Sequence, residues 1–279
     1  MKLIAGPSSP LLTKRVAKRT GLEIAGVTYR KFPDGEIYVR VDDPEDESFA
    51  VINSMRSADD LIYLMLILDA LNGKRVFAII PYMGYARQDR AFLSGEAVSI
   101  RAVARMIESS AERVFTVNIH SERAKGHFRK LRELDAMERI GEHYRGKDVI
   151  MLSPDRGSLE RVRKAAEIAG CDFDYLEKRR IDAENVEITP KNLEIENREV
   201  VIIDDIISTG GTVVTAASQL SDRASRIEAA CIHGVFAGNA LNRLYTSGVS
   251  EVKATDTVES QVSIISVSDI ISEVLLNEI

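Results

Sequence analysis

Apolar positions along the chain follow two periods that alternate. Short, β-branched runs predict strands: "KLIAG" at 2–6, "EIYVRV" at 36–41, "FAVINS" at 49–54, "RVFAIIP" at 75–81 and "RVFTVNIH" at 113–120. They continue with "DVIMLS" at 148–153, "FDYL" at 173–176, "EVVIID" at 199–204 and "RIEAACIH" at 226–233. Between them lie longer stretches with helical spacing. "SSPLLTKRVAKRTG" at 8–21 carries Ser before Pro10 and ends on Gly21, while "SADDLIYLMLILDALNG" at 57–73 places Ser57 and Asp60 as a capping box. "SIRAVARMIESS" at 99–110, "SLERVRKAAEIAG" at 158–170, "TVVTAASQLSDRA" at 212–224 and the tail "VSDIISEVLLNEI" at 267–279 complete the helices.

Several strands are apolar at consecutive positions, the pattern of a parallel sheet covered on both faces. Strand–helix alternation predicts βαβ units, so the fold class is α/β, a mainly parallel sheet flanked by helices. About ten strands is many for one sheet, which points to two domains. A boundary near "HYRGKD" gives 1–145 and 146–266, with the helix at 267–279 free to pack on the first domain. One interval, "EKRRIDAENVEITPKNLEIENRE" at 177–199, is highly charged and sparse in apolar residues. It reads either as a solvated excursion or short hairpin, or as a flexible loop closing over a site.

Charge narrows the function classes. Among 279 residues the formal net charge is −6, which argues against broad nucleic-acid binding, because that needs a basic surface. Anionic ligands would need local positive clusters instead. The two cysteines, Cys171 and Cys231, have no metal or redox spacing and read as reduced thiols of a cytoplasmic protein. The longest apolar run, "LIYLMLIL", stops at Asp69, far short of the ~20 residues of a membrane span, so no membrane partner is expected. No targeting segment is visible.

In open α/β sheets, ligands gather at the carboxyl ends of strands. After "VVII" come Asp204 and Asp205, then Ser208-Thr209-Gly210-Gly211-Thr212 opening a helix. Glycines permit a tight turn and the helix start presents N–H groups, so this turn suits an anion. The absence of the Walker lysine points to a phosphate monoester rather than a nucleoside triphosphate. Two carboxylates beside an anion site need donors, and either sugar hydroxyls or a metal ion would serve. A phosphorylated sugar supplies both ends at once. Elsewhere the reading stays open. Arg87 and Gln88 in "ARQDR" could meet a nucleotide or form a salt-bridged surface loop, "PDG" at 33–35 is an ordinary turn, and His120 at a strand end could be structural.

The segment "VIIDDIISTGGT" resembles the phosphoribosyl-pyrophosphate motif of the type I phosphoribosyltransferase superfamily. Five further segments, "FPDGEIYVR" at 32–40, "GYARQDR" at 84–90, "NIHSE" at 118–122, "SPDRGSLERV" at 153–162 and "EKRR" at 177–180, are similar, in that order, to ribose-phosphate pyrophosphokinase. The resemblance spans nearly the whole chain and implies two phosphoribosyltransferase-like domains. It also implies a reaction: the β,γ-diphosphoryl group of ATP passes to the C1 hydroxyl of ribose 5-phosphate, with Mg²⁺ as cofactor.

By the same resemblance, Asp204, Asp205, Ser208, Thr209, Gly210, Gly211 and Thr212 hold ribose 5-phosphate. Arg87, Gln88 and His120 meet ATP, together with Phe32, Asp34 and Glu36 on a loop that reaches the adenine of a neighbouring subunit. That sharing implies a homo-oligomer, at least a dimer. His120 and Asp155 attend the metal, and Lys178 and Arg180 are the catalytic basic pair on the flexible loop. The chain departs from the family at Asn118, where an Asp is usual, and after "RQDR", where "AFLSGEAVS" is less basic than the common continuation. Two rivals remain. A phosphoribosyltransferase would use the same sugar site but leaves "RQDR" and "FPDGE" unexplained, and a non-enzymatic relative should have lost the charged site residues.

Overall fold

The computed structural model describes residues 1–42, 44–180 and 186–278, with the side chains of 178–180 and 186–188 outside that description. Two compact units emerge: 1–135 with 257–259 and 266–279, and 136–256 with 260–265. Each is built on its own sheet.

The first unit runs β1 (Lys2–Ala5), α1 (Pro10–Thr20), β2 (Val27–Lys31), β3 (Ile37–Val41), β4 (Ser48–Ile52), α2 (Ala58–Ala70), β5 (Arg75–Ile80), α3 (Ser99–Glu108), β6 (Arg113–Val117), α4 (Glu122–Lys125) and β7 (Leu131–Leu134). Five of these strands form a sheet in the order β1-β4-β5-β6-β7, parallel throughout. Its central strands are buried along their length because apolar residues stand on both faces, as in "VFAII" of β5. Phe49, Val51, Val76, Ala78 and Ile80 pack with Leu64, Ile67 and Leu68 of α2 and Ile100, Val103 and Ile107 of α3. Each buried Phe, Val, Leu or Ile side chain among these stabilises the unit by about 1.5–3 kcal/mol relative to exposure. The capping box forms: Ser57 Oγ accepts from Asp60 N at 3.2 Å, and Asp60 Oδ2 accepts from Ser57 N at 2.9 Å.

The second unit follows with α5 (Met137–Tyr144), β8 (Val149–Ser153), α6 (Leu159–Ala169), β9 (Asp172–Arg180), β10 (Val186–Pro190), β11 (Glu199–Ile207), α7 (Gly211–Leu220), β12 (Arg226–Gly234), α8 (Ala240–Thr246) and β13 (Glu251–Ala254). Its sheet runs β10-β9-β8-β11-β12-β13, parallel except for the antiparallel β9–β10 pair. The last helix, α9 (Ser268–Leu276), returns to the first unit, where Arg19 Nε donates to Ser268 Oγ at 3.1 Å.

The break between units falls about ten residues before the position expected from the sequence. Helix α5 belongs to the second unit because Tyr144, fully buried, donates its hydroxyl to Glu228 Oε2 of β12 at 2.8 Å. Short or charged elements escape the periodicity: β2, which pairs antiparallel with β3 in a separate ribbon, the edge strands β7, β10 and β13, and the helices α4, α5 and α8.

In the interval 177–199, β9 continues to Arg180 and pairs with β10, Lys178 facing Ile188 across the ladder and Arg180 facing Val186. Residues 181–185 lie outside the described residues. Further on, Ile195 is fully buried in the core of the second unit, so the last part of the interval is anchored.

Candidate active site

The second unit carries the carboxylate pair. Strand β11 is central, flanked by β8 and β12, and ends in Asp204-Asp205-Ile206-Ile207. Gly210 follows with φ 72° and ψ 8°, a left-handed conformation that glycine adopts without a Cβ penalty, and it starts α7. The first N–H groups of α7, from Gly211 onward, have no intrahelical acceptor, and no side chain caps them. The hydroxyls of Ser208, Thr209 and Thr212 stand beside this turn. Arg243 Nη1 of α8 donates to Thr209 O at 3.3 Å and ties the turn down. The result is a row of donors at the positive end of a helix dipole, suited to one phosphate.

Asp205 is buried and Asp204 partly so. Asp204 Oδ1 accepts from Asp205 N and Asp205 Oδ1 from Ile206 N, both at 2.9 Å. The other oxygen of Asp205, Oδ2, lies 2.7 Å from Arg161 Nη1 of α6. Burial pushes the Asp204 carboxyl up to about 7, helped by its hydrogen bond to Asp205, by the Asp205 charge and by Asp155. Three carboxylates therefore converge here. Asp155 stands exposed just after β8, where its Oδ1 accepts from Ser158 N at 3.1 Å and so fixes the turn into α6.

The first unit carries the other expected residues. Tyr85 has φ 62°, and a Cβ on Gly84 would lie 2.2 Å from Met55 O, so "GYARQDR" passes against the main chain with no room for a side chain. Arg87 is exposed on this loop, and Gln88 Nε2 donates to Arg90 O at 3.0 Å. Glu96 closes the loop, accepting from the N–H groups of Phe92 at 2.6 Å and Leu93 at 3.1 Å, and these bonds hold its carboxyl below the usual range. Asp89 accepts from Ser121 Oγ at 2.6 Å, which joins this loop to the segment after β6. His120 is exposed on that segment. Asn118 has φ 35° and donates from Nδ2 to Asp135 Oδ1 at 3.0 Å; asparagine tolerates this left-handed backbone better than most residues.

Phe32, Asp34 and Glu36 form the tip of the β2–β3 ribbon. Phe32 N donates to Glu36 O at 2.8 Å, Glu36 N donates to Asp34 Oδ1 at 3.2 Å, and the Phe32 ring is 52% exposed, edge-on to Tyr38. The side chains of Lys178 and Arg180 lie outside the described residues; their backbone ends β9.

Among the described residues, no group of three or more His, Cys, Asp or Glu is placed to hold a metal ion. The converging Asp155, Asp204 and Asp205 nevertheless form an oxygen-rich, negatively charged edge. Their oxygen donors are of the type a hard divalent cation takes, since Mg²⁺ keeps several waters and needs only one or two protein carboxylates.

Two residues at this edge were not anticipated from the sequence, Arg161 and Arg243. Arg161 sits six positions after Asp155 inside "SPDRGSLERV", and only the fold of β8 into α6 brings it over β11. Nothing in the local sequence marks Arg243.

A family model described as the N-terminal domain of ribose phosphate pyrophosphokinase matches residues 1–110, and one described as a phosphoribosyl transferase domain matches residues 127–267. The chain is 55% identical over 274 residues to ribose-phosphate pyrophosphokinase 2 of Archaeoglobus fulgidus, covering 98% of this chain and 99% of that protein. It is 40% identical to the ribose-phosphate pyrophosphokinase of Methanosarcina acetivorans, with 99% of each covered. The crystal structure of phosphoribosylpyrophosphate synthetase from Mycobacterium smegmatis superposes with a TM-score of 0.83 at 26% identity, covering 99% of this chain and 98% of that one.

The raised Asp204 carboxyl has a consequence for stability. A carboxyl near 3.8 when unfolded and near 7 when folded favours the fold fully below about pH 4, and the contribution is lost as pH rises through 7. Asp204→Asn, which cannot ionise, should therefore gain in melting temperature relative to the unliganded wild type between pH 5 and pH 8. Parallel thermal melts at both pH values check this, and an unchanged wild-type-to-variant difference rules the shift out.

Proposed function

The chain belongs to the ribose-phosphate pyrophosphokinase family, and on that premise we propose that the donor turn and carboxylate pair at the end of β11 receive ribose 5-phosphate for diphosphoryl transfer from ATP. The products are 5-phosphoribosyl 1-pyrophosphate and AMP, which serve nucleotide biosynthesis. The observation that carries the site assignment is the juxtaposition on one strand end of an uncapped helix start and two carboxylates. The turn of Ser208, Thr209, Gly210, Gly211 and Thr212 takes the 5-phosphate, while Asp204 and Asp205 accept from the ribose hydroxyls. Anchored at both ends, the sugar has one orientation for its C1 hydroxyl.

The C1 oxygen attacks the β-phosphorus in line. The new bond is O1–Pβ; the bond from Pβ to the oxygen bridging the α-phosphate breaks, that oxygen leaves with AMP, and the hydroxyl proton passes to solvent. Little covalent work falls to the protein, which aligns the substrates and offsets the charge of the transferred group. Arg87 and Gln88, on the loop after β5, are assigned to the ATP phosphates, Arg87 because its planar fork suits phosphate oxygens. Lys178 and Arg180 are assigned to the transferring diphosphoryl group. Asp155 and His120 are assigned to Mg²⁺, which would supply charge neutralisation.

Phe32, Asp34 and Glu36, on an exposed ribbon tip, are assigned to the adenine of a second copy, so the active form is at least a dimer. No helix among the described residues is long and apolar enough to cross a membrane, and we place the reaction in the cytoplasm.

Purified protein supplied with ATP, ribose 5-phosphate and Mg²⁺ should release AMP, resolved by anion-exchange chromatography, and chelation of the metal should abolish turnover. ADP as the product would make the protein a simple kinase instead. Lys178→Ala and Arg180→Ala should each lower kcat by roughly 10³-fold, the scale of arginine-finger losses, with little change in ATP affinity. Near-normal kcat in both variants would remove the pair from the transition state. An Asp34→Ala protein and an Asp205→Asn protein, each impaired alone, should regain activity when mixed as subunits exchange, because some sites then combine an intact ribbon tip with an intact sugar pocket. A flat mixing curve despite verified exchange places the ribbon tip in its own subunit's chemistry.

A further inference from the structure

Asp205 is held at both ends. Its Oδ1 accepts from Ile206 N at 2.9 Å, within its own chain segment, and its Oδ2 meets Arg161 Nη1 at 2.7 Å. The two side chains differ in surroundings: that of Asp205 is 10% exposed and that of Arg161 39%. A guanidinium that wet gains little from an ion pair. The buried carboxylate gains more, because a charge taken out of water needs donors and Arg161 supplies a charged one.

We propose that Arg161 is a positioning residue for the sugar, holding the Asp205 carboxylate in the orientation that accepts the ribose hydroxyls. This rests on the assignment of Asp204 and Asp205 to the ribose. A carboxylate offers about four acceptor sites, and the guanidinium fixes the direction of one of its oxygens.

The source of Arg161 suits this task. It is in the first turn of α6, directly after the turn fixed by the Asp155–Ser158 bond. Strand β8, which leads into that turn, lies hydrogen-bonded beside β11, Leu152 opposite Ile202. Strand, turn and helix therefore place the guanidinium over the end of β11 with no flexible segment between. Arginine suits the position because it stays charged and presents donors in a rigid fork, whereas lysine offers charge without the fork. Among the described residues, the Arg161 side chain makes no other ion pair or hydrogen bond, so its contact serves Asp205 rather than a helix–helix seam.

Steady-state kinetics on the full chain test the assignment. Arg161→Met should raise KM for ribose 5-phosphate by roughly 10-fold or more, the scale of a lost charged hydrogen bond, with KM for ATP within about 2-fold of wild type. Arg161→Lys should recover part of the loss. In the Asp205→Asn background, Arg161→Met should add less than about a further 2-fold, because a residue acting through Asp205 has nothing left to position. If Arg161→Met does not fold, by circular dichroism and melting, Arg161→Gln replaces it in each comparison.

Losses that multiply in the double variant, or equal rises in KM for both substrates, overturn the proposal. So does a silent Arg161→Met when Asp205→Asn alone weakens sugar use, and in that case the ribose assignment survives. A silent Asp205→Asn overturns the ribose assignment and this inference together.

Discussion

The organising constraint is electrostatic: negative charge is concentrated at one strand end, beside a turn built to take a further anion. Asp204 and Asp205 stand there with Asp155 nearby, and burial makes ionising Asp204 costly. The fold answers with fixed positive features. Backbone N–H groups of Asp205 and Ile206 bond the carboxylates, the start of α7 follows three residues after β11, and Arg161 bonds the most buried of the three acids. The Asp204 carboxyl, raised to about 7, carries the remaining imbalance. The proposed ligand, which brings hydroxyls and a phosphate, would relieve part of that imbalance.

The scaffold makes such a concentration tolerable because it is rigid where the charges stand. Strand β11 is held on both sides by parallel partners whose side chains are buried on both faces. Tight connections at its carboxyl end leave the loops little freedom: Gly210 turns the chain in a left-handed conformation and Arg243 binds the turn from α8. In the first unit the same logic applies to the loop after β5. There Gly84 lies against Met55 O, and Glu96 gathers the N–H groups of Phe92 and Leu93. Parallel sheets bring such loops to one edge, and site residues far apart in sequence then share a neighbourhood within each unit.

Much of this was readable from the linear pattern. Apolar runs without alternation marked the buried parallel strands, and Ser57 with Asp60 marked a helix start that forms as expected. The cluster "DDIISTGGT" was expected at a strand end opening a helix, and β11 and α7 place it there. Local spacing suffices when the interacting groups are neighbours in the chain. It was weaker for charged segments. Ile195 anchors the end of an interval read as a solvated excursion, a short hairpin or a flexible loop, and α5 joins the second unit through Tyr144 and Glu228, a contact between residues 84 positions apart.

The strand–helix order, the two-domain α/β class and the glycine turn between β11 and α7 thus belong to the chain's own periodicity and local chemistry, which depend on residues a few places apart. Which cation stands over Asp205, how far the Asp204 carboxyl rises and where one unit yields to the next belong to the folded state. Arg161 meets Asp205 across 44 positions only after β8 pairs with β11, and Asp155 reaches the same edge by the same pairing. Burial and the distance between charges are properties of the packed sheet, and no spacing along the chain encodes them.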